Sequence, residues 1–254
     1  MKFGLIGHPI GHSLSPTVFK AGYNGQYPYD LIETPDFEEA YSIFLREYDG
    51  INITAPFKES ALKKADIISD ECRLTGATNL LVKTSEGVKA YNSDYRGVKV
   101  LLSEISDSPM KTTVLIVGLG GAGKATVAAA QTLGYRTTLM NRTQYSPEIK
   151  PLSEFKDEFR KADIIIYNLP IRIPEIDMLT EDDFAPGHGK IILEANYRNP
   201  SFDNGFIQRM QEANPQARYI HGKEWLVQQA MTGYELFTGT APDYEAMKAV
   251  IKSK

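Results

Sequence analysis

The chain has 254 residues, of which 42% are hydrophobic and 24% charged, and its net charge is −4. This length accommodates one large domain or two of ordinary size. The slightly acidic balance gives no electrostatic basis for binding nucleic acid, and no apolar run is long enough to span a bilayer, so we expect neither nucleic acid nor a membrane as a partner. The N-terminus turns polar too early for a signal peptide, and one cysteine excludes an intramolecular disulfide. We therefore expect a cytoplasmic protein.

Strand and helix patterns alternate along the first hundred residues. Residues 2–7 form an apolar run typical of a buried strand, and a loop over residues 7–16 follows it. Pro16 suits the first turn of a helix that runs to about Ala21, with Ser15 as its cap. The other elements predicted here are strands over 27–34 and 50–54, helices over 35–48 and 59–65, a hairpin over 79–82 and 88–91, and a helix from Asp94 to about Ile105.

A glycine-rich stretch over residues 118–123 is the most informative part of the chain. It reads Gly-Leu-Gly-Gly-Ala-Gly, follows the apolar run 114–117, and opens an alanine-rich helix over 124–133. A further strand over 137–140 completes the strand–turn–helix–strand pattern of a dinucleotide-binding unit. Glycine permits the sharp turn and the close approach to a pyrophosphate, while the helix N-terminus presents free N–H groups and a partial positive charge.

The residues after the second strand of this unit indicate which dinucleotide is bound. An NAD site usually carries a carboxylate there for the ribose hydroxyls. This chain has Asn141, Arg142 and Thr143 instead. A guanidinium can pair with a 2′-phosphate and lie flat against adenine, while Asn and Thr add neutral hydrogen bonds. We therefore predict NADP(H) as the cofactor.

The rest of the chain continues the alternation and ends in helices. Strands are predicted over 163–167, 190–195 and 218–221, and helices over 224–239 and 243–253. This pattern predicts an α/β protein with mainly parallel sheets. Because the glycine turn lies in mid-sequence, the first hundred residues form a separate domain, and a cleft between the two domains is the expected place for a substrate.

Polar residues cluster in the loops of the first hundred residues, and they suit a polyhydroxylated ligand. Lys58 and Asp94 are the evident acid/base candidates among them. Brought together, each favours the charged form of the other, and a lysine beside a carbinol oxygen can relay its proton as hydride leaves or arrives at carbon. The four histidines show no metal-ligand spacing, so we expect no metal.

Seven motifs occur in one order along nearly the whole chain: Gly-His-Ser-Leu-Ser-Pro, Asn-Ile-Thr-Ala-Pro-Phe-Lys, Gly-Ala-Thr-Asn, Asn-Ser-Asp-x-x-Gly, Gly-x-Gly-Gly-Ala-Gly, Asn-Arg-Thr and Gln-Gln-Ala. The set resembles the shikimate dehydrogenase family. The resemblance implies NADPH-dependent reduction of 3-dehydroshikimate to shikimate, in aromatic amino-acid biosynthesis. It also implies a discontinuous α/β substrate domain (1–103 and 224–254) and a Rossmann NADP-binding domain (104–223).

The resemblance further implies roles for individual residues. Lys58 matches the catalytic lysine and Asp94 its carboxylate partner. The positions that match substrate-binding residues are Ser13, Ser15, Thr54, Asn79, Tyr197 and Gln229. The positions that match cofactor-binding residues are Gly118, Gly120, Gly121, Ala122, Asn141, Arg142 and Thr143.

Two alternatives stay open at this point. One is a relative that uses quinate, or both quinate and shikimate, with either NADP or NAD. The other is a non-catalytic NADP-binding protein of the same fold. The sequence also leaves open whether the protein is a monomer or a homodimer, and which of Lys58 and Asp94 is the proton donor, because a coupled pair shares its protons.

Overall fold

A computed structural model describes residues 1–184 and 189–252. It contains two compact units: Met1–Val98 with Leu226–Lys254, called unit 1, and Lys99–Trp225, called unit 2. His188 and the predicted helix end at Ser253 lie outside the described residues. The domain boundaries predicted from the sequence stay a prediction.

Unit 1 is built on a six-stranded mixed sheet. Its strands are β1 (Phe3–Gly7), β2 (Tyr29–Glu33), β3 (Gly50–Ile53), β4 (Ile67–Ile68), β5 (Leu80–Thr84) and β6 (Gly87–Tyr91), in the order β2-β1-β3-β5-β6-β4. β1 pairs in parallel with both β2 and β3, whereas β5 is antiparallel to β3 and β6. The predicted hairpin is therefore present, and it makes this sheet mixed.

Helices cover both faces of the unit 1 sheet. They are α1 (Ser15–Gly22), α2 (Phe37–Glu47), α3 (Lys58–Lys63), α4 (Asp70–Thr75), the first part of α5 (Ser93–Ile105), most of α9 (Gly222–Thr238), and α10 (Tyr244–Lys252). Successive strand side chains point to opposite faces. Leu80 packs with α1, α9 and α10, whereas Leu81 packs with α2, α3 and α4. Each face of the sheet thus has its own apolar core.

Unit 2 is a parallel, doubly wound sheet. Its strands are β7 (Thr113–Val117), β8 (Arg136–Met140), β9 (Ile149–Lys150), β10 (Ile164–Tyr167), β11 (Ile191–Glu194) and β12 (Arg218–Ile220), and its internal helices are α6 (Gly121–Thr132), α7 (Phe155–Lys161) and α8 (Asn204–Ala213). The order is β12-β11-β10-β7-β8-β9, so the strand order reverses between β7 and β10. Ligands of such sheets bind at the carboxyl ends of the strands beside that switch point.

The α/β class predicted from the sequence is confirmed, with some local corrections. Ser15 was expected to cap α1, but the helix begins at Ser15 and Leu14 occupies the cap position. No element was predicted over β4, α4, β9, α7 or α8. Among the described residues, none of the helices is both long and apolar enough to cross a membrane.

Candidate active site

Lys58 and Asp94 form an ion pair in unit 1. Lys58 is the first residue of α3, just beyond β3, and Asp94 lies in the first turn of α5. The Lys58 Nζ donates to Asp94 Oδ2 at 2.5 Å, and the two side chains keep 20% and 17% of their surface exposed. The pair is thus close enough to share a proton and still open enough to reach a ligand.

Asp94 does not cap α5. Aspartate serves well as an N-cap, so capping is the simple structural alternative to a role in the site. In the structure the buried Asn92 fills that role, since its Oδ1 accepts from Tyr95 N at 3.0 Å. The carboxylate of Asp94 is therefore not needed to cap the helix, and it is turned toward Lys58.

Asn79 is the centre of the polar network beside this ion pair. Its Nδ2 donates to Ser93 Oγ at 3.0 Å and to Gln229 Oε1 at 3.4 Å, while its Oδ1 accepts from Ser93 N at 2.7 Å. Ser93 precedes Asp94, and the residue before Asn79 donates its amide to the Lys58 carbonyl. The structure thus brings Lys58, Asp94, Asn79 and Gln229 into one neighbourhood, although these residues lie up to 171 positions apart.

Glycine at position 97 allows Gln229 to reach that network. A Cβ at Gly97 would lie 2.6 Å from Gln229 N and 2.8 Å from its Cα. The backbone of α9 therefore touches α5 where a side chain would separate them. The Asn-Ser-Asp-x-x-Gly motif thus combines a cap, a network hydroxyl, a carboxylate and a contact point for α9.

Ser13, Ser15 and Thr54 are half-buried in unit 1. Ser13 Oγ donates to Ser15 Oγ at 3.1 Å and accepts from Ser15 N at 3.2 Å, which fixes the two hydroxyls side by side at the start of α1. Thr54 directly follows β3, and its methyl group lies so close to Gly7 that a side chain there would collide with it. Paired hydroxyls at a helix N-terminus suit a carboxylate ligand.

Two further residues of this network were missed by the sequence analysis. Tyr29 donates its hydroxyl to Asn52 Oδ1 at 2.8 Å, and Asn52 Nδ2 donates to the Asn79 carbonyl at 3.3 Å. Asn52 belongs to the Asn-Ile-Thr-Ala-Pro-Phe-Lys motif, so the motif could have indicated its place in the network. The alternating pattern that predicts β2 does not indicate that the Tyr29 hydroxyl joins a polar network.

The glycine turn in unit 2 has the geometry that a pyrophosphate requires. Gly118 adopts a φ of +87°, which bends the chain after β7. A Cβ at Gly120 would meet no described atom within 4 Å, so the backbone there is open to a ligand. A Cβ at Gly123 would collide with the Gly118 carbonyl oxygen, so this third glycine lets α6 pack onto the turn. Gly121 and Ala122 form the N-terminus of α6.

Asn141, Arg142 and Thr143 follow β8 beside this turn. Asn141 Oδ1 accepts from Leu119 N at 3.3 Å, and its Nδ2 donates to the Thr143 carbonyl at 3.0 Å. These two hydrogen bonds of Asn141 stabilise the conformation of the glycine turn and of the segment after β8. Arg142 and Thr143 are exposed, which is the placement that a clamp for a 2′-phosphate needs. The Gly-rich turn, the α6 N-terminus and this cation together fit NADP(H).

Tyr197 lies in unit 2, in the loop that follows β11. Glu194, which is fully buried, ties that loop down by accepting from Ser201 N at 2.5 Å and from the Tyr219 hydroxyl at 2.6 Å. Burial raises the pKa of Glu194 above its ordinary value, and these hydrogen bonds oppose that shift. A Cβ at Gly222 would lie 2.9 Å from Tyr197 N, so the start of α9 also packs against the loop.

His221 holds the beginning of α9. Its Nδ1 accepts from Lys223 N at 3.1 Å. Burial, together with the nearby Lys223, lowers the pKa of His221. A neutral imidazole is therefore favoured, and it can accept at a helix terminus where a positive charge would be unfavourable.

Together the fold and the site define a dinucleotide-dependent oxidoreductase. A doubly wound unit carries the cofactor turn, and a second unit carries an acid/base pair among amides and hydroxyls. Residues 5–81 match the family model of the shikimate dehydrogenase substrate binding domain. Residues 79–193 match that of the NAD binding domain of D-isomer specific 2-hydroxyacid dehydrogenases.

Comparison with known proteins shows which dinucleotide-dependent oxidoreductases this chain is similar to. The chain is 26% identical over 277 residues to the shikimate dehydrogenase (NADP(+)) of Bacillus subtilis, covering 99% of this chain and 96% of that protein. The shikimate 5-dehydrogenase of Thermus thermophilus, solved with NADP(H) and shikimate, shares the fold with a TM-score of 0.82 and 24% identity, over 100% of this chain and 99% of that one. The quinate dehydrogenase of Corynebacterium glutamicum, solved with NAD, also shares the fold with a TM-score of 0.82, at 20% identity over the same shares of the two chains. Over nearly its whole length the chain is thus similar to shikimate dehydrogenases.

Proposed function

We propose that this protein is an NADP-dependent shikimate dehydrogenase that reversibly reduces 3-dehydroshikimate to shikimate. The observation that carries the proposal is the ion pair between Lys58 and Asp94 at 2.5 Å, joined through Ser93 to the amides of Asn79 and Gln229. A protein that only binds a dinucleotide has no use for this acid/base pair.

The chemistry assigns different tasks to the two members of the pair. NADPH supplies the hydride when it is bound. Lys58 donates a proton to the substrate oxygen as the carbonyl carbon is reduced, and it recovers that proton in the reverse direction. Asp94 orients the lysine and stabilises its charge, so that the ammonium points at the position where negative charge develops.

The surrounding groups suit shikimate as the substrate. Shikimate carries one carboxylate and several hydroxyls. The paired hydroxyls of Ser13 and Ser15 at the start of α1 favour the carboxylate, and Thr54, Asn79 and Gln229 can donate to and accept from the hydroxyls. Tyr197, from unit 2, is the remaining proposed substrate residue.

NADP(H) is the proposed cofactor because a cation replaces the usual acidic residue after β8. Gly118, Gly120, Gly121 and Ala122 hold the pyrophosphate in this proposal. Asn141, Arg142 and Thr143 surround the 2′-phosphate. We further propose a cytoplasmic biosynthetic enzyme, on the basis of the resemblance, and either a monomer or a homodimer is compatible with this function.

The experiment that tests the proposed function measures reduced-nicotinamide formation in four combinations: shikimate or quinate, each with NADP or NAD. We expect fast turnover only with shikimate and NADP, because the serine pair is retained and no carboxylate repels the 2′-phosphate.

The other outcomes separate the rival functions. Comparable rates with quinate or with NAD would place the protein among relatives of broader specificity. No turnover in any combination, together with NADP binding in a fluorescence titration, would contradict the enzymatic proposal and leave a binding protein.

A further inference from the structure

Asn92, the residue between β6 and α5, is hydrogen-bonded on both sides of its side-chain amide. Its Oδ1 accepts from Tyr95 N at 3.0 Å, which caps α5. Its Nδ2 donates to the Ala77 carbonyl at 3.0 Å and to Thr75 Oγ1 at 3.1 Å. A backbone N–H can only donate and a carbonyl can only accept, so these partners fix the orientation of the amide. Only 1% of Asn92 is exposed, so its effect is exerted through the groups that it holds.

The peptide group between Ala77 and Thr78 connects Asn92 to Lys58. Its oxygen accepts from Asn92 Nδ2 at 3.0 Å, and its N–H donates to the Lys58 carbonyl at 3.1 Å. A trans peptide group is planar and rigid, and its C=O and N–H point in opposite directions. One stiff unit therefore connects the first residue of α3 to the residue that precedes α5.

The segment 76–79, which contains this peptide group, is itself held in place. At its start, the Thr75 hydroxyl donates to the Glu71 carbonyl in α4 at 2.8 Å. Within it, the buried Thr78 hydroxyl donates to the Tyr91 carbonyl at the end of β6 at 2.7 Å. The segment is thus a fixed support to which the starts of both helices are attached.

We infer that Asn92 is a positioning residue, which sets the distance between Lys58 and Asp94 by anchoring the start of α5 to the peptide group that also holds the start of α3. Asp94 lies in the turn that the Asn92 oxygen caps. Its carboxylate meets the Lys58 ammonium at 2.5 Å, and a shift of 1 Å would lengthen this contact beyond hydrogen-bond distance. The inference rests on the proposed function. Asn92 takes no part in the proton transfer, but it keeps the donor and its partner at the required separation.

The first test is the variant Asn92→Ser. Serine keeps an oxygen that can cap α5 but has no amide N–H groups, so the Ala77 carbonyl loses its donor. We expect the single-turnover rate of NADPH formation from shikimate to fall by about tenfold, because Asp94 becomes free to move relative to Lys58. KM for shikimate and for NADP should stay within about threefold. An unchanged rate would overturn the inference.

A second variant, Asn92→Asp, keeps the size of the side chain and the capping oxygen. It turns another oxygen toward the Ala77 carbonyl, where two acceptors repel each other, so the rate should fall at least as far as in Asn92→Ser. In both variants Ser93 N can still donate to Asn79 Oδ1, the 2.7 Å contact that also holds the start of α5. The loss should therefore be smaller than the loss caused by removing Lys58.

Asn214→Ser is the matched control. Asn214 lies in unit 2, is 2% exposed, and accepts with its Oδ1 from Gln216 N at 3.1 Å. The same substitution of an equally buried amide should lower the urea midpoint and leave the rate and both KM values unchanged. An equal loss of rate in Asn214→Ser would overturn the inference, since destabilisation alone would then account for the effect.

The second test asks whether Asn92 acts through the ion pair. Asp94→Asn removes the charge that the arrangement positions, so adding Asn92→Ser should lower the single-turnover rate by less than about twofold more. Multiplying effects in the double variant would overturn the inference, because Asn92 would then act independently of the pair.

The two proposals fail in different ways. Wild-type protein that turns over shikimate while Asn92→Ser and Asn92→Asp keep a normal rate overturns only the role of Asn92. Wild-type protein that does not turn over shikimate with either cofactor overturns the proposed function, and the inference falls with it.

Discussion

The proposed proton-transfer pair, Lys58 and Asp94, comes from the first turns of two helices that are far apart in the chain. Lys58 begins α3 and Asp94 is the second residue of α5. Asn92 caps α5 and Phe57 occupies the cap position of α3, so neither Lys58 nor Asp94 serves as a cap, and their side chains pair with each other. Partial burial limits the water that could compete for the lysine, and a shared site of this kind is where a general acid is expected.

Replacing Lys58 by alanine tests its catalytic role. Removing a general acid typically lowers the rate by about 10²–10⁴-fold. We expect Lys58→Ala to lower kcat for shikimate oxidation by about that factor and to change KM much less, because the hydroxyl and amide contacts to the substrate remain. Steady-state kinetics with saturating NADP measures both constants.

A lysine on the same helix provides the control for this prediction. Lys63 is exposed at the end of α3, so Lys63→Ala should leave kcat and KM unchanged. Near-normal turnover of Lys58→Ala would show that another group supplies the proton. A raised KM at constant kcat would make Lys58 a binding residue instead.

The candidate site was predictable from the sequence only where a motif carried it. Lys58, Asp94 and Asn79 each stand in a short motif of polar residues beside a strand end. Tyr29 stands in an ordinary alternating strand, and its partner Asn52 lies 23 residues away. Their contact depends on the pairing of β1 with both β2 and β3. Long-range pairing of this kind leaves no local pattern.

At the scale of elements, the contact between α5 and α9 supports the polar network that is proposed to bind the substrate. Gly97 on α5 meets the backbone of Gln229 on α9, and Gly233 packs near Ser93. Two glycines thus bring the helices close enough for Gln229 to accept from Ser93 Oγ at 3.2 Å. A Cβ at Gly97 would collide with the α9 backbone, and a Cβ at Gly233 would press on the Ser93 side chain at 3.0 Å.

We therefore expect Gly97→Ala to damage substrate binding. Its Cβ would lie less than 3 Å from three atoms of Gln229, two of them in the backbone, so α9 has to shift. Overpacking of this kind costs about 1–3 kcal/mol, which appears as a lower urea midpoint. The displaced Gln229 should also raise KM for shikimate several-fold, while KM for NADP is unchanged.

A second helical glycine controls for the change in helix propensity. Gly205 lies in the first turn of α8 and is exposed, so Gly205→Ala should be neutral or slightly stabilising. Equal behaviour of Gly97→Ala and Gly205→Ala in stability and in KM would contradict the role assigned to the α5–α9 contact.

Elements with strong local patterns were predicted, and the short ones were missed. The apolar run before the glycine turn predicted β7, and the glycine turn with the alanine-rich segment after it predicted α6. By contrast α4 and α7 have six and seven residues, fewer than two turns, so no periodicity can develop in them. α8 begins with Asn-Gly, which by itself is typical of a turn. It is held by burial of Phe206 and Met210.

At the scale of the whole molecule, each unit has its own apolar core and its own proposed ligand. Unit 1 is stabilised by apolar clusters on both faces of its mixed sheet, and unit 2 by the cluster around Phe155, Phe184 and Phe206. The proposed substrate residues apart from Tyr197 lie in unit 1, whereas the glycine turn lies in unit 2. Each ligand should therefore stabilise first the unit that binds it.

Hydrogen exchange detected by mass spectrometry measures which unit each ligand stabilises. A ligand present at 100 times its Kd adds about 2.7 kcal/mol to the stability of the state that binds it. We expect NADP to slow amide exchange around the glycine turn and around Asn141 to Thr143. We expect shikimate to slow exchange in the loop of Ser13 and Ser15 and at the start of α3. Slowing by NADP in unit 1 segments but not at the glycine turn would contradict the proposed cofactor site.

The variant Gly120→Ala makes this measurement specific to the pyrophosphate. A Cβ at this position meets no described atom within 4 Å, and the residue has a φ of −72°, so alanine fits without strain. The added methyl group occupies the space through which a pyrophosphate must approach the α6 N-terminus. We therefore expect the variant to fold normally, to lose the protection by NADP, and to keep the protection by shikimate. Full protection by NADP in Gly120→Ala would mean that the dinucleotide binds elsewhere, because the turn can accommodate either the methyl group or the phosphates but not both.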